Sequence, residues 1–411
     1  MTARTARIRR LMPLLAGLPL LLAAADWPRF LGPTRDGIST ETGLGKGWPK
    51  DGPPVSWKRD LGEGYSGPVV AGNWLIVFHR LGDEEVVEGC KSDTGESAWK
   101  RADPTSYHDG FGKGDGPRST PVIAGQRVYT LGAEGRLLCL NLKTGDKVWE
   151  HDLAAEYKPR KGFFGVGTTP LLEGELLLVN VGAKGAGVVA FNAADGKEAW
   201  KATEDGASYS SPVAATVDGV RHVFFFTREG LLSLDPKDGA ERFRNRWRSR
   251  LDASVNAATP VVVGDQVFLS ACYGTGAGLF KVHKDKVEEV WKNDESLSSH
   301  YDTSIHQDGF LYGVDGRQEE GARLRCVELK TGKVRWTKEG FGCASLICVE
   351  GLFIALTEGG DLVQFEANPK EYKEIARASV LGKPCRAPLA LANGRLYGRD
   401  NKTLICWNLK K

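Results

Sequence analysis

The chain has 411 residues, of which 41% are hydrophobic and 26% are charged, and this composition excludes a largely disordered protein. The formal net charge is +3, but the first 25 residues hold four arginines and no acid, so removing them would leave −1. The near-neutral remainder has no basic stripe and does not predict nucleic-acid binding.

Residues 1–25 have the pattern of a cleavable secretory leader. Four arginines precede the apolar run "LMPLLAGLPLLLAAA", which ends in three small alanines before Asp26. The run has about 15 residues, fewer than the roughly 20 that a membrane-spanning helix needs, although an uncleaved anchor remains the alternative. No cysteine follows it to receive a lipid, and no later stretch predicts a transmembrane segment. We therefore expect export to the periplasm or cell-envelope space.

The residues after the leader divide into a short extended arm, residues 26–50, and a repeating region, residues 51–411. The repeat contains the phrase "NLKTGDKVW", from Asn141 to Trp149. Five copies place a glycine four residues before an aromatic residue, and a sixth, degenerate copy ends at Trp291. Each copy follows short β-branched runs bounded by Gly, Asp and Asn, the signal of strands and hairpins.

Eight such units follow one another along the chain. Their openings fall about 46 residues apart, a spacing typical of four-stranded propeller blades, and they are at Pro68, Pro121, Pro170, Pro212, Pro260, Ser304, Ser345 and Pro388. The last unit lacks its glycine turn and its tryptophan, and both stand near the start of the repeating region in "DGPPVSW". The sequence therefore predicts an all-β, eight-bladed propeller that the N-terminal strand closes.

The aromatic residue of each phrase has a structural interpretation. Gly145 allows the positive φ of a tight hairpin, and the outer strand then carries Trp149 on a blade face. A single sheet cannot bury so large a ring, so we expect it to pack between blades. The same role is predicted for the tryptophans of the other units, giving a set that we call the docking tryptophans: Trp57, Trp99, Trp149, Trp200, Trp291 and Trp336.

The phrase resembles the tryptophan-docking motif of quinoprotein-type (PQQ-like repeat) β-propellers, over residues 51–411. The stretch "WPRFLGPTRDGIS" resembles the opening of a subgroup of exported bacterial propellers of this kind. The resemblance implies one of two classes. Quinoprotein dehydrogenases hold pyrroloquinoline quinone and calcium at the axis and oxidise alcohols or sugars. BamB-like proteins bind no quinone and act as periplasmic scaffolds in outer-membrane protein assembly.

Two absences in the sequence favour the scaffold class. There is no adjacent Cys-Cys pair of the kind found against the quinone in many dehydrogenases, and there are no long insertions between blades. The sequence also differs from the BamB-like pattern, because it has no cysteine for lipid attachment after the leader. We therefore expect a non-catalytic binding or scaffold protein without a cofactor, with a quinone-dependent dehydrogenase using calcium as the alternative.

Ligands of propellers usually bind where loops enter the inner strands. These segments supply Phe164 and eight candidate ligand-binding residues, namely Tyr65, Arg118, Tyr209, Asn256, His300, Tyr301, Asp302 and Arg386. Such a set suits an anionic, planar or sugar-like ligand. A carbohydrate site on the three tyrosines is a further possibility. No catalytic residue and no metal site are predicted.

Each candidate also has a structural explanation. The two arginines would pair with carboxylates and plug the channel, and the aromatic rings would pack against neighbouring strands. His300 and Asp302 share a strand face, which would suit an acid/base pair or two metal ligands. The run Tyr107-His108-Asp109 lies in a glycine-rich loop and is expected to be solvated.

The eight cysteines allow two interpretations. Three stand at equivalent strand positions and are expected to be small buried hydrophobes. Cys343 and Cys385 open consecutive units, so a disulfide between them is possible. The partner expected from the whole sequence is an envelope protein or a small ligand, and the protein is expected to be a monomer.

Overall fold

The computed structural model describes residues 25–160, 162–251 and 254–410. Apart from Ala25, the predicted leader lies outside these residues. The described chain forms eight sheets of four antiparallel strands arranged as the blades of a propeller, with one added strand on the seventh. The predicted all-β, eight-bladed architecture is therefore confirmed. Within these ranges, none of the helices has the length and apolar character that crossing a bilayer requires.

The first four blades run consecutively along the chain, with the innermost strand first. Blade one has β3 (Val69–Ala71), β4 (Trp74–Leu81), β5 (Glu84–Lys91) and β6 (Ser97–Pro104). Blade two has β7 (Val122–Ala124), β8 (Arg127–Leu131), β9 (Arg136–Asn141) and β10 (Lys147–Asp152). Blade three has β11 (Leu171–Glu173), β12 (Leu176–Ala183), β13 (Ala186–Asn192) and β14 (Glu198–Ala202). Blade four has β15 (Val213–Val217), β16 (Val220–Phe226), β17 (Gly230–Leu234) and β18 (Glu241–Arg246).

The other four blades include both strands from the N-terminal region. Blade five has β19 (Val261–Val263), β20 (Gln266–Ala271), β21 (Gly276–Val282) and β22 (Val287–Asn293). Blade six has β23 (Ile305–Gln307), β24 (Phe310–Asp315), β25 (Arg323–Glu328) and β26 (Val334–Lys338). Blade seven has β27 (Ala344–Val349), β28 (Leu352–Thr357), β29 (Asp361–Glu366) and β30 (Glu374–Ser379), with β1 (Ile38–Ser39) beside its inner strand. Blade eight has β31 (Ala390–Ala392), β32 (Arg395–Arg399), β33 (Thr403–Asn408) and β2 (Val55–Asp60).

Helical structure in the described ranges is limited to short connections. The α-helix α1 (Leu153–Tyr157) follows blade two, and a 3-10 turn (Gln318–Glu320) joins the second and third strands of blade six. The antiparallel order places the segments that lead into the inner strands, and the loops between second and third strands, on one face of the ring. We call it the loop face and its opposite the turn face.

The ring closes as the sequence predicts. Strand β2 pairs antiparallel with β33, and Trp57 lies opposite Cys406. The eighth blade thus joins the N-terminal part of the fold to its C-terminal strand, so β33 is not left as an unpaired edge.

Neighbouring blades are held together at seams, most of which contain a docking tryptophan. The ring of Trp99 lies against Gly145 of the next blade so closely that a Cβ there would be 2.4 Å from Cε3 of the indole. Gly145 has a φ of +74°, so its lack of a side chain serves both the turn and the close approach. Each indole also donates a hydrogen bond of 2.8–3.2 Å to a backbone carbonyl of the next blade. The tryptophans that make this contact are Trp57, Trp99, Trp149, Trp200, Trp291 and Trp336.

Two seams differ from this pattern. In the fourth blade Phe243 stands at the docking position, opposite Ser233. In the seventh blade the docking position holds Ala376, which lies opposite Gln364. An alanine side chain is too small to span the seam. There the amide of Gln364 accepts a 2.5 Å hydrogen bond from the backbone N–H of Gly47 in the arm. Trp48 packs against the hydrophobic cluster that blades seven and eight share, so the arm fills the seam that has no tryptophan of its own.

The arm does not extend away from the ring but turns into its channel. The backbone of Trp27 pairs with Val70 in the inner strand of blade one, and residues 30–35 form turns. Strand β1 then runs parallel to β27 on the inner side of blade seven. Between these points Arg35 is buried and donates a 2.8 Å hydrogen bond to the carbonyl oxygen of Pro170. The arm therefore crosses the axis and blocks the channel.

All eight cysteines lie in the described part of the chain, where they are buried and unpaired. The possible disulfide between Cys343 and Cys385 is therefore not formed. Burial raises the thiol pKa of Cys385 to about 12, so this thiol stays protonated at neutral pH.

Candidate functional site

The channel contains a cavity of about 270 Å³ that opens to the loop face, and we call it the axial cavity. Its floor is apolar and comes from the arm, through Trp27, Phe30 and Leu31. Seven of the eight candidate ligand-binding residues line it: Tyr65, Arg118, Tyr209, His300, Tyr301, Asp302 and Arg386. The loops that enter the inner strands thus bring together these residues from five blades, as expected for a propeller.

Asn256 is the exception, and its prediction as a ligand-binding residue is wrong. Its side chain is buried, and the amide nitrogen donates to the carbonyl oxygens of Thr227 at 2.8 Å and Trp247 at 3.1 Å. Its backbone carbonyl oxygen accepts hydrogen bonds from the backbone N–H groups of Tyr209 and Ser210, in the segment that enters the preceding blade. Both ends of the residue are therefore used to hold loops together, and the neighbouring Val255 and Ala257 line the cavity instead.

The two arginines of the cavity have the carboxylate partners that a structural role would require. Arg118 lies 3.2 Å from Asp109, and Arg386 lies 2.6 Å from Glu358. The ring of Tyr65 lies near both guanidinium groups, with centroid distances of 5.7 Å and 5.3 Å. This stack of two cations and one ring forms part of the cavity wall.

The partner of Arg118 comes from a loop that was expected to be solvated. That expectation is wrong for Tyr107 and Asp109, which are both buried. The Asp109 carboxylate accepts hydrogen bonds from the backbone of Phe111 and Lys113, at 3.0 Å and 2.7 Å, and so organises the whole glycine-rich loop. Only His108 of the run is exposed.

His300 and Asp302 both line the cavity, but their side chains have different neighbours. The His300 ring contacts the hydroxyl of Tyr273 at 2.8 Å and the amide oxygen of Gln318 at 3.0 Å. Burial lowers the pKa of His300, which favours a neutral imidazole. The Asp302 carboxyl instead faces the start of blade seven, near Cys343. The structure thus gives each residue a separate environment and does not form the acid/base pair considered from the sequence.

Asp302 is the most perturbed carboxyl of the cavity. Burial raises its pKa to about 8, and Glu358 adds to the rise, while the backbone of Ala344 and the charge of Arg386 oppose it. The group is therefore mostly protonated at pH 7. Among the described atoms, its Oδ2 is buried without a hydrogen-bond partner, and so are the hydroxyls of Tyr301 and Ser345, two residues whose other atoms line the cavity.

Sequence reasoning missed two groups of lining residues. The arm supplies the floor, and its sequence shows no sign of where it lies because it is not part of a repeat. Tyr273 and Arg317 come from loops between second and third strands. Because these loops reach the same face as the segments entering the inner strands, the repeat pattern could have located them.

An exposed cluster of rings lies on the loop face beside the cavity, and we call Phe111, Phe163 and Phe164 the aromatic patch. Phe111 is 58% exposed and Phe163 is 41% exposed. The ring centroids lie 5.4–6.4 Å apart. Lys158 and Arg160 are exposed and precede Phe163 and Phe164 in the same connection, so this connection carries positive charge as well as two of the rings.

The lining of the cavity does not fit pyrroloquinoline quinone held by calcium. Calcium takes six to eight oxygen ligands, mainly carboxylates and carbonyls. The described residues contain no group of three or more His, Cys, Asp or Glu side chains placed to hold a metal ion. The side chains facing the cavity are instead mostly cationic, aromatic or hydroxyl groups, and the one buried carboxyl among them is protonated at neutral pH.

Comparisons with known proteins agree with this architecture. The outer membrane protein assembly factor BamB of Yersinia pestis is 24% identical over 305 residues, which cover 70% of this chain and 72% of that protein. BamB of Burkholderia pseudomallei is 29% identical over 188 residues, or 45% of this chain and 44% of that protein.

Two solved structures share the fold at low identity. BamB from Moraxella catarrhalis has a TM-score of 0.64 at 17% identity and covers 87% of this chain and 97% of its own. Quinohemoprotein alcohol dehydrogenase from Comamonas testosteroni has a TM-score of 0.65 at 13% identity, and the match covers 94% of this chain and 81% of that protein's chain. The family model described as outer membrane protein assembly factor BamB matches residues 83–338. Because this match spans more than half of the chain, the protein belongs to that family of PQQ-like repeat propellers.

Proposed function

We propose that this protein is an exported scaffold of the cell envelope that holds a protein partner on its loop face. Membership of the BamB family supports the proposal, since the names of the relatives describe factors in outer-membrane protein assembly. The aromatic patch is the observation that locates the proposed binding surface, because clusters of large exposed apolar side chains mark interaction sites on soluble domains.

The chemistry of the surface indicates the kind of partner. Two exposed phenylalanines provide apolar area, and Lys158 and Arg160 in the same loop region provide positive charge. An acidic segment with apolar side chains complements both properties. The rigid ring would hold such a segment without changing shape, so the scaffold role requires no catalytic group.

The proposed location rests on the leader. We propose that export removes residues 1–25, so that the mature protein begins at Asp26 with the arm and continues as a monomeric propeller. N-terminal sequencing of the protein from its own envelope fraction tests the boundary. A mature chain that still carries the leader would contradict it.

Site-specific cross-linking tests the surface. A photoreactive amino acid placed at Phe111 or Phe163 is expected to capture one discrete envelope protein in living cells. The matched control position is Val290, which is 45% exposed on the outer strand of blade five and away from the patch. A second measurement replaces Lys158 and Arg160 with glutamate and is expected to reduce the cross-link strongly, because the charge complementarity is reversed. Equal capture at Val290, or an unchanged yield after charge reversal, would rule out this surface.

A further inference from the structure

Two loops from opposite sides of the ring meet above the axial cavity. Lys113 lies in the segment that enters blade two, and Glu319 lies in the loop between the second and third strands of blade six. In a ring of eight blades these two face each other across the axis. The ammonium nitrogen of Lys113 nevertheless lies 3.3 Å from Oε1 of Glu319, and both residues line the cavity. The ion pair therefore spans the mouth that opens to the loop face.

The loop that carries Lys113 is held firmly in place. The carboxylate of Asp109 accepts a 2.7 Å hydrogen bond from the backbone N–H of Lys113, and the hydroxyl of Tyr65 donates to the carbonyl oxygen of the same residue. The guanidinium of Arg80 donates to a further carbonyl oxygen of this loop, that of Asp115, at 3.3 Å. This loop therefore provides a fixed side of the mouth.

The opposite side of the mouth is built differently, and we call residues 316–321 the flap. Glycines begin and end it, with φ values of +91° at Gly316 and +79° at Gly321. The four residues between them are exposed or half-buried, whereas Asp315 and Ala322, just outside the flap, are buried. A segment that buries little apolar surface opens locally at low free energy, and small residues at its ends can absorb the change in backbone direction.

The flap is held down by contacts of charged and polar side chains. In the ion pair to Lys113, the side chain of Lys113 is 37% exposed and that of its partner is 48% exposed. The amide oxygen of Gln318 lies 3.0 Å from Nδ1 of His300. The guanidinium of Arg317 lies 4.8 Å from the ring centroid of Tyr273. Exposed ion pairs and single hydrogen bonds stabilise a structure only weakly, so these contacts can separate without unfolding the blade.

Space for an outward movement lies directly beside the flap. A second cavity of about 420 Å³ lies on the loop face beside blades six and seven, and we call it the side cavity. Gln318 lines both cavities, so the flap forms part of the wall between them. Gly340, Gly342 and Gly359 also line the side cavity. In the described structure, a Cβ added at Gly340 or Gly342 would meet no atom within 4 Å. The side cavity therefore has room for the flap.

We propose that the flap is a gate of the axial cavity and that the ion pair between Lys113 and Glu319 is its latch. With the ion pair formed, the flap narrows the mouth above the floor that the arm provides, and small molecules enter slowly. When the ion pair separates, the flap turns into the side cavity and the mouth widens. The gate does not depend on a partner at the aromatic patch, so it stands or falls separately from the scaffold role.

The reaction rate of a thiol placed inside the axial cavity measures the gate. Ala257→Cys introduces a thiol at a half-buried lining position, and methyl methanethiosulfonate, a small uncharged reagent, modifies it at a rate that mass spectrometry follows. The native cysteines are buried, and the unsubstituted protein gives their background. Adding Lys113→Gln should raise the rate about two- to fivefold, the factor that an exposed ion pair supplies. An unchanged rate would overturn the latch.

Salt and an exchange of charges test whether the ion pair itself is responsible. High salt should speed the reaction in the Ala257→Cys protein but not after Lys113→Gln is added, because salt then has no latch to screen. Lys113→Glu together with Glu319→Lys should restore the slow rate. Lys147→Gln is the control, since it breaks a similarly exposed pair with Glu150 on the outer strand of blade two. A faster rate in this control, or no recovery after the exchange, would contradict the proposal.

A larger side chain in the side cavity tests the direction of the movement. Gly359 does not have a positive φ, and a Cβ there would meet its neighbours at 3.5 Å or more. Gly359→Leu should therefore fold, occupy the space that the flap needs and cancel most of the increase that Lys113→Gln causes. Gly359→Ala is the matched control and should keep the increase, because one methyl group leaves most of the space free. Equal rates in the leucine and alanine variants would rule out movement into the side cavity.

Discussion

The seam between blades one and two and the seam between blades seven and eight solve the same packing problem in different ways. In the first, Trp99 lies on Gly145 and donates a 2.9 Å hydrogen bond to the carbonyl of Leu142. In the second, Ala376 replaces the tryptophan, and the arm supplies Trp48 and a backbone contact to Gln364. Two neighbouring repeats are sufficient for the first seam, whereas the second needs a segment that is more than 300 residues away along the chain.

This difference distinguishes the repeating blades, which form the ring, from the non-repeating arm, which is particular to this protein's seam and cavity. The docking contacts give the ring its shape and recur at six seams. The arm closes one irregular seam and also provides the floor of the axial cavity. A single non-repeating segment therefore contributes to both stability and the candidate ligand site.

Removal of the arm should have the largest effect. A chain that begins at Asp51 loses the buried side chains of Trp27, Leu31 and Leu44, each contributing roughly 1.5–3 kcal/mol. We expect the free energy of unfolding to fall by more than about 5 kcal/mol, measured by denaturant titration against the chain that begins at Asp26. Equal stability of the two chains would show that the arm is only an attachment to the ring.

The second largest loss of stability is expected when a docking tryptophan is replaced. Trp149 is 8% exposed, and Trp149→Ala is expected to lower the free energy of unfolding by about 3–5 kcal/mol, the usual cost of deleting a buried aromatic side chain. Val148→Ala is the control, because this neighbour points to solvent and should change stability by less than about 0.5 kcal/mol. Similar effects of both substitutions would remove the stabilising role assigned to the ring.

The close approach of tryptophan to glycine can be tested separately from the turn. Gly145 and Gly174 both have positive φ, at +74° and +57°, so alanine is strained at either position. Only at Gly145 does a new Cβ meet an indole, at 2.4 Å, while nothing lies within 4 Å at Gly174. Gly145→Ala should therefore cost about 1–3 kcal/mol more than Gly174→Ala in thermal or denaturant unfolding. Equal costs would mean that the glycine serves the turn alone.

The smallest predicted effect concerns a polar contact in the same regular seam. Glu85 of blade one accepts a 2.8 Å hydrogen bond from the backbone of Ala133 in blade two, and burial raises the pKa of Glu85 to about 7. The folded protein therefore holds a proton that the unfolded chain releases from about pH 4.5 upward, so stability is lost as the pH rises towards 7.

Glu85→Gln removes this dependence and keeps an acceptor for Ala133. Between pH 5 and pH 8 the unmodified protein should lose about 1–3 kcal/mol more stability than the variant. Denaturant titrations at the two pH values measure the difference. Parallel pH profiles would show that Glu85 is ionised in the folded state and that water reaches the seam.

Much of the fold could be predicted because its signals are local. The Thr144-Gly145 turn, the outer Trp149 and the repeated openings each lie within one unit, and they were enough to count the blades. The truncated last unit and the complementary segment around Trp57 were enough to predict closure, which the pairing of β2 with β33 confirms.

The candidate site was predicted less completely, since its composition follows from contacts across the ring. Knowing which segments enter the inner strands located seven lining residues. It did not indicate the direction of each side chain, so Asn256 was assigned to the cavity although its amide holds two loops together. The burial of Asp109 was also missed, because it depends on the position of Arg118 within a folded loop.

The sequence by itself determined the number of blades, the hairpins and the closing strand, because each depends on turns and apolar patterns that neighbouring residues encode. Only the tertiary structure decided the floor of the axial cavity, the partners of its arginines and the protonation of Asp302. These features arise where segments far apart in the chain meet, as when Arg35 of the arm donates to Pro170. Burial and hydrogen bonding at such meeting points exist only once the ring has closed, and no local pattern records them.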